Sequence, residues 1–256
     1  MIDLQAIIVV IDLDAENVSM SLQITAQETD YPESDGKPMG ETELHQFWMF
    51  RIMDLLRYRY REQRVYVAGN LLVYYEEGVP YKFVVPDAFL VKDCEPRIRR
   101  TYRIWEEGKC PKVVFEVTSK GTQREDTVVK LPLYDRLGVE ELFLYDPTGD
   151  YLKSPLVGYR RGPKGLEPLT PDASGALTSG ELGVVLRVEN EQLVMYDAES
   201  GHLLLTRAEA GESRADSEKS RADAEKARAD AAELRAEALE EQLERLRRQS
   251  NPSGDR

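Results

Sequence analysis

Two acids define the chemistry open to this chain. Glu116 interrupts the apolar run Val113-Val114-Phe115-Glu116-Val117-Thr118, and Asp87 follows Pro86 at the edge of another apolar stretch. A lone carboxylate on a central strand is costly unless a cation or a hydrogen-bond donor answers it. Two such acids brought to one point by a sheet can hold a divalent cation, an arrangement suited to phosphodiester hydrolysis. The competing readings are structural: a satisfied buried glutamate at 116, and a strand start or turn cap at 87.

Asp126 and Lys130 stand i, i+4 on the following helix, with Tyr134 one turn further on. One reading is an ordinary helix-surface salt pair. The other points Lys130 back at the carboxylates, where an ammonium neutralises charge on a phosphoryl oxygen or positions the attacking water. Lys120, in the turn, competes for that role, and Ser119 can add a hydroxyl to the cluster. A Ser-His-Asp triad has little material, because His45 and His202 are the only histidines. Cys94 and Cys110 form no disulfide framework, and no Cys/His cluster offers a zinc site. A reduced, cytoplasmic setting is expected.

The net charge of −13 argues against a protein that coats nucleic acid without specificity. Of the 34 basic and 47 acidic residues, 11 and 13 fall from Arg207 onward, so the acidity belongs to the body. Two basic clusters break the trend. Arg57, Arg59, Arg61 and Arg64 interleave with Tyr58 and Tyr60, and Arg97, Arg99, Arg100 and Arg103 lie beside Tyr102 and Trp105. They are either solvated faces or phosphate contacts flanking a site, the second cluster being the nucleic-acid candidate.

The elements that must position these residues follow from periodicity. The N-terminal run Ala6–Ile11 is too short for a membrane span and lacks a basic leader, so residues 1–24 read as a strand or an extension. Residues 28–41 form a loop. Leu44, Phe47, Trp48, Ile52, Leu55 and Leu56 recur at helical spacing behind Thr42 as N-cap. Val65–Tyr75 and Tyr81–Val91 are strands joined by a turn at Glu76-Glu77-Gly78, and 93–110 is a loop. Val113–Thr118 is a central strand covered on both sides. A helix capped by Thr122 runs to Leu137, restarts or kinks at Pro132 and closes at Gly138. Glu141–Tyr145 is the next strand, stopped by Asp146-Pro147, and the strand–helix–strand unit demands a right-handed parallel crossover. Residues 151–205 carry short strands around Tyr151–Arg160, Leu182–Val188 and Gln192–Tyr196, as a meander or hairpin lobe.

From Arg207 the composition changes. Arg214, Arg221, Arg228 and Arg235 fall seven apart, each followed by Ala. With Ala215 at an a position, the d positions are Glu218, Glu225, Ala232, Leu239 and Leu246, so the seam is apolar only in its second half. A charged, alanine-rich helix of roughly 60 Å is expected over 206–249. It is either a coiled coil or a lone, salt-bridged helix, and residues 250–256 form a disordered tail.

The ordered set Pro86-Asp87, Glu116-Val117-Thr118-Ser119, Asp126-x-x-x-Lys130-x-x-x-Tyr134, Gly138-Val139-Glu140-Glu141 and Tyr145-Asp146-Pro147 resembles the Uma-two family of restriction endonucleases, within the PD-(D/E)XK nuclease superfamily. The preceding helix with His45 fits the same pattern. The resemblance covers roughly residues 25–200 of this chain. It implies an α/β fold with a restriction-endonuclease-like core over 25–205, a mixed sheet flanked by helices. It further implies Asp87 and Glu116 as metal-binding acids, Mg²⁺ or Mn²⁺ as the cation, and DNA as substrate. Where the superfamily places a lysine two residues after the acid, this chain has Thr118; the family's shifted lysine corresponds to Lys130.

Three functions are therefore expected in competition. One is a metal-dependent DNA endonuclease. Another is a catalytically silent protein that binds nucleic acid or protein through the same cleft. The third is a scaffold whose C-terminal helix is the working part. A homodimer through the nuclease lobe or the C-terminal helix is one alternative and a monomer the other, and no membrane association is expected.

Overall fold

A computed structural model describes residues 8–14, 17–23, 29–36, 42–119, 121, 122 and 125–250. Ala6 and Ile7, loop positions 28 and 37–41, Lys120 and residues 251–256 lie outside the described residues. The chain divides into two compact units, Met1–Leu204 and Leu205–Arg256.

In the first unit β1 (Ile8–Asp14) and β2 (Asn17–Gln23) form an antiparallel hairpin, so the described part of the N-terminal apolar run, Ile8–Ile11, is strand. Helix α1 (Glu43–Arg59) follows, and Thr42 caps it by accepting the His45 N–H at 3.2 Å. Its buried side chains are His45, Trp48, Met49, Ile52, Met53, Leu55 and Leu56. Leu44 and Phe47, which share the helical spacing, are exposed at 42% and 53%. At about 100° per residue the buried arc centres near His45, which turns Leu44 to its rim and Phe47 beyond it.

The long hairpin expected over residues 65–91 is broken at its middle. β3 (Val65–Ala68) pairs with β6 (Ala88–Lys92), while β4 (Val73–Tyr74) pairs with β5 (Phe83–Val84) in a different sheet. The break falls where Asn70, at φ 49°, donates its N–H to Pro86 O at 2.9 Å. Proline supplies no N–H of its own, so the ladder cannot run through. Asp87 sits at that break.

Residues 93–110 are more ordered than a loop. β7 (Tyr102–Arg103) joins β4 in parallel, and a short turn of helix, α2 (Ile104–Glu107), ends at Gly108. Then β8 (Val113–Val117) enters the middle of a six-stranded sheet ordered β11-β10-β9-β8-β6-β3. β8 runs antiparallel to β6 and parallel to β9 (Glu141–Tyr145), as the crossover required. All five β8 residues are buried. Val113, Phe115 and Val117 pack in one core with α1, while Val114 packs in the other with Tyr134 and Val139. This alternation puts Glu116 on the Val114 face.

The crossover segment is a π-helical turn (Glu125–Lys130) followed directly by α3 (Leu131–Leu137), with Pro132 in the first turn of α3 and Gly138 at φ 84° as its cap. Beyond β9, β10 (Leu156–Gly162) and β11 (Gly165–Pro168) extend the main sheet. β12 (Leu177–Ser179), β13 (Val184–Glu189) and β14 (Gln192–Asp197) form a separate antiparallel meander. Tyr151, expected in a strand, instead lies in the loop after β9. There Asp146 accepts hydrogen bonds from the backbone of Thr148, Gly149, Tyr151 and Leu152.

The second unit is α4 (Arg207–Ser250). Thr206 and Glu209 exchange reciprocal bonds at its start, at 2.8 and 3.3 Å, which makes a capping box. No helix among the described residues is long and apolar enough to cross a membrane.

Candidate active site

The site begins with the alternation of β8. Glu116 is fully buried on the face covered by the crossover helix. Lys130 Nζ stands 2.8 Å from Glu116 Oε2, and the Tyr134 hydroxyl donates to Glu116 Oε1. Asp126 Oδ1 lies 3.0 Å from the same Lys130 Nζ, and its Oδ2 has no hydrogen-bond partner among the described residues. Asp126 and Lys130 are both buried, so they are not a surface salt pair.

The π turn explains how one helix face delivers all three groups. Eight residues of α-helix rotate about 80° beyond whole turns, which would swing Tyr134 away from Asp126. A π turn is wider than four residues, so Asp126 to Lys130 falls short of a full turn. Lys130 to Tyr134, in α3, overshoots one. The two offsets oppose each other and keep the three side chains in line with Glu116.

Asp87 reaches the site from the strand break. Its Oδ2 accepts the Val117 N–H at 2.7 Å and its Oδ1 meets His45 Nε2 at 3.0 Å. Its side chain keeps 17% exposure where Glu116 keeps none, so the pair is approached from the Asp87 side. Gly69 supports the arrangement from behind. A Cβ there would stand 2.0 Å from the Asp87 carbonyl oxygen and 2.8 Å from Met53 Sδ, so only glycine fits.

Burial pushes the Glu116 carboxyl up to about 8 against the pull of Lys130, and the charges of Asp87 and Asp126 add to the rise. Burial likewise raises the Asp126 carboxyl. It works against the Lys130 charge too, but Glu116, Asp126 and Asp87 together outweigh it and hold the ammonium above the ordinary lysine value. Burial and the Glu116 charge keep the Tyr134 phenol protonated, as a donor.

The remaining candidates are placed as follows. Ser119 bonds to Thr122: its N–H donates to Thr122 Oγ1 at 3.1 Å and its hydroxyl lies 3.3 Å from the same atom. Thr118, at the superfamily's lysine position, has a buried hydroxyl with no partner among the described residues. Of the four arginines proposed for nucleic acid, Arg99 is buried. It forms a fork on Glu107, at 2.6 and 2.9 Å, and stacks on Tyr66 at 4.1 Å. Arg97 shares Glu107, Arg100 pairs with Glu33, and Arg103 pairs with Glu106. Sequence reasoning missed Gly69 and the Val117 amide, since a backbone contact leaves no side-chain signature.

Asp87, Glu116 and Asp126 stand around the single ammonium of Lys130, and a bound cation would favour the ionised Glu116 that burial disfavours. Among the described residues no three His, Cys, Asp or Glu side chains converge to enclose a metal. Asp87 and Glu116 are the oxygen donors that a hard cation would use here.

A family model described as "Uma2: Putative restriction endonuclease" matches residues 22–220. The chain belongs to the Uma2 family. Among solved structures, this Uma2 chain is similar to "a putative nuclease belonging to DUF820 from Anabaena variabilis ATCC 29413". The two are 15% identical, with 57% of this chain and 76% of the other covered at a TM-score of 0.41. No curated protein matches the chain.

Proposed function

We propose that this Uma2 protein is a metal-dependent DNA endonuclease, with Asp87 and Glu116 holding Mg²⁺ or Mn²⁺ and Lys130 serving the reacting phosphate. The observation that carries this reading is the buried Lys130–Glu116 contact at 2.8 Å beside a second, partly open acid. Asp87 and Glu116 would hold the divalent cation, which would supply Lewis-acid polarisation of the phosphodiester and activation of water. Asp87 is oriented by two donors, His45 and the Val117 amide, so it presents its lone pairs in a fixed direction. Lys130 brings positive charge to the position where phosphoryl oxygens gain negative charge. Tyr134 and Asp126 hold Glu116 and Lys130 in register. The shifted lysine thus supplies from the helix what Thr118 cannot supply from the strand.

The test is cleavage of supercoiled, linear and single-stranded DNA with Mg²⁺ or Mn²⁺ by wild type, Glu116→Ala and Lys130→Ala. Metal-dependent cleavage that disappears in both variants supports the proposal. Cleavage that survives in both places the chemistry elsewhere. DNA binding without cleavage by wild type selects a catalytically silent binding protein.

A further inference from the structure

The two arginine clusters, about 40 positions apart in the chain, meet in space. A groove of about 550 Å³ runs along β3, the edge strand of the main sheet. Arg57 and Arg61 line it from the end of α1 and the turn that follows, and Arg97 and Arg99 line it from the loop after β6. Gly69 also lines it, and Gly69 packs on the Asp87 carbonyl. One end of the groove therefore abuts the strand break that carries Asp87.

Charge tells what the groove fits. Four guanidinium groups line it, and no acidic residue does so among the described residues. Among the described residues their carboxylate partners are Glu62, on Arg61 at 3.2 Å, and Glu107, shared by Arg97 and Arg99. Arg57 donates instead to a neutral acceptor, the Val67 carbonyl, at 3.2 Å. The groove is thus net positive on a chain of net charge −13. Arg99, locked between Glu107 and the Tyr66 ring, is the fixed wall. Arg57, Arg61 and Arg97 are exposed and are the contact residues. The four residues of β3 span about 13 Å, the axial rise of about four phosphates along one strand of a duplex.

We infer that this groove holds the phosphodiester backbone of a nucleic-acid strand and leads it to Asp87. The inference rests on the nuclease reading for the choice of ligand. An acidic peptide would satisfy the same charges without approaching any chemistry.

The test measures DNA affinity of the full chain across a salt series with EDTA present, so that no cleavage occurs. Arg61→Gln/Arg97→Gln is compared with the equally discharged Arg214→Gln/Arg221→Gln on α4. The groove variant should bind a duplex at least tenfold more weakly and lose about two from the salt slope, and the α4 variant should match wild type. Equal losses in both variants, no loss in the groove variant, or no DNA binding by wild type overturns the inference. So does polyglutamate binding that needs Arg61 and Arg97 while DNA binding does not. Groove-dependent binding by a wild type that never cleaves with metal leaves the groove standing and removes the endonuclease reading alone.

Discussion

The backbone N–H of Val117 donates to Asp87 Oδ2 at 2.7 Å, so the strand that carries one acid also orients the other. Asp87 and Glu116 are 29 positions apart in sequence, yet a single peptide plane after Glu116 fixes their relationship. Anything that shifts β6 against β8 shifts both acids together.

Gly69 tests that coupling. An alanine methyl at this position would overlap the Asp87 carbonyl, a backbone atom that can give way only by moving Asp87 itself. Gly69→Ala should cost about 1–3 kcal/mol of stability, as overpacking does. Its loss of DNA cleavage should be far larger than that of Gly211→Ala, where a Cβ would meet nothing within 4 Å. Thermal melts and cleavage rates on the same preparations check this, and a fully active, fully stable Gly69→Ala would contradict it.

Lys130 is the cation on which two buried carboxylates depend. Removing it in Lys130→Met leaves Glu116 and Asp126 uncompensated, a loss of about 3–5 kcal/mol when both are charged. The folded-state value of Glu116 already lies near 8, above its unfolded value, so its ionisation disfavours the fold as pH rises between the two. Without Lys130 that penalty grows. The Tm deficit of Lys130→Met should therefore widen above about pH 8, where folded wild type accommodates the Glu116 charge and the variant does not. Adding Glu116→Gln should remove most of the widening, and a deficit independent of pH would refute this account.

Much of this site was legible because each acid broke a pattern. Glu116 interrupts a strand with no polar face, and Asp126, Lys130 and Tyr134 keep helical spacing behind it. The π turn was not legible, although Pro132 marked the place where the helix restarts. Spacing alone does not fix which way a helix is turned, and here the buried arc from Trp48 to Leu56 leaves Leu44 and Phe47 outside it. Arg99 read as a surface cation because its partner, Glu107, is brought back to it only by the turn of α2. The broken hairpin at Gly69 and Pro86 was hidden by strand-like composition on both sides of the break.

That Arg99–Glu107 clamp makes an acid-sensitive joint. Arg99, by its paired hydrogen bonds, holds Glu107 below the usual carboxylate range, and Arg97 adds to the effect. A folded-state value below the unfolded one contributes stability that is complete above the unfolded value and is lost as pH falls through the folded one. Wild type should lose Tm from about pH 5 to about pH 3 more steeply than Glu107→Gln, which lacks this proton uptake. Glu107→Gln should also melt lower at neutral pH, because it leaves the buried Arg99 guanidinium without its anion. Parallel acid profiles for the two proteins would assign the sensitivity to other groups.

The second unit carries a separate expectation. In α4 the heptad positions Ala229, Ala232, Ala236, Leu239, Leu243 and Leu246 are successively apolar, whereas Glu218 and Glu225 occupy earlier d positions. In the single chain Leu239, Leu243 and Leu246 remain 60%, 53% and 61% exposed. Burying each leucine against a second copy would contribute about 1.5–3 kcal/mol, while alanines permit close approach but contribute less. Self-association should therefore be modest, confined to the last three turns or so of seam, and dependent on concentration. Sedimentation of wild type should show dimer at tens of micromolar, and Leu239→Lys/Leu243→Lys should be monomeric at the same concentration. Because the seam lies on the second unit, DNA cleavage per chain should be the same in both. A wild type that stays monomeric throughout would leave α4 as a lone helix held by its capping box and i, i+4 pairs such as Glu241–Arg245.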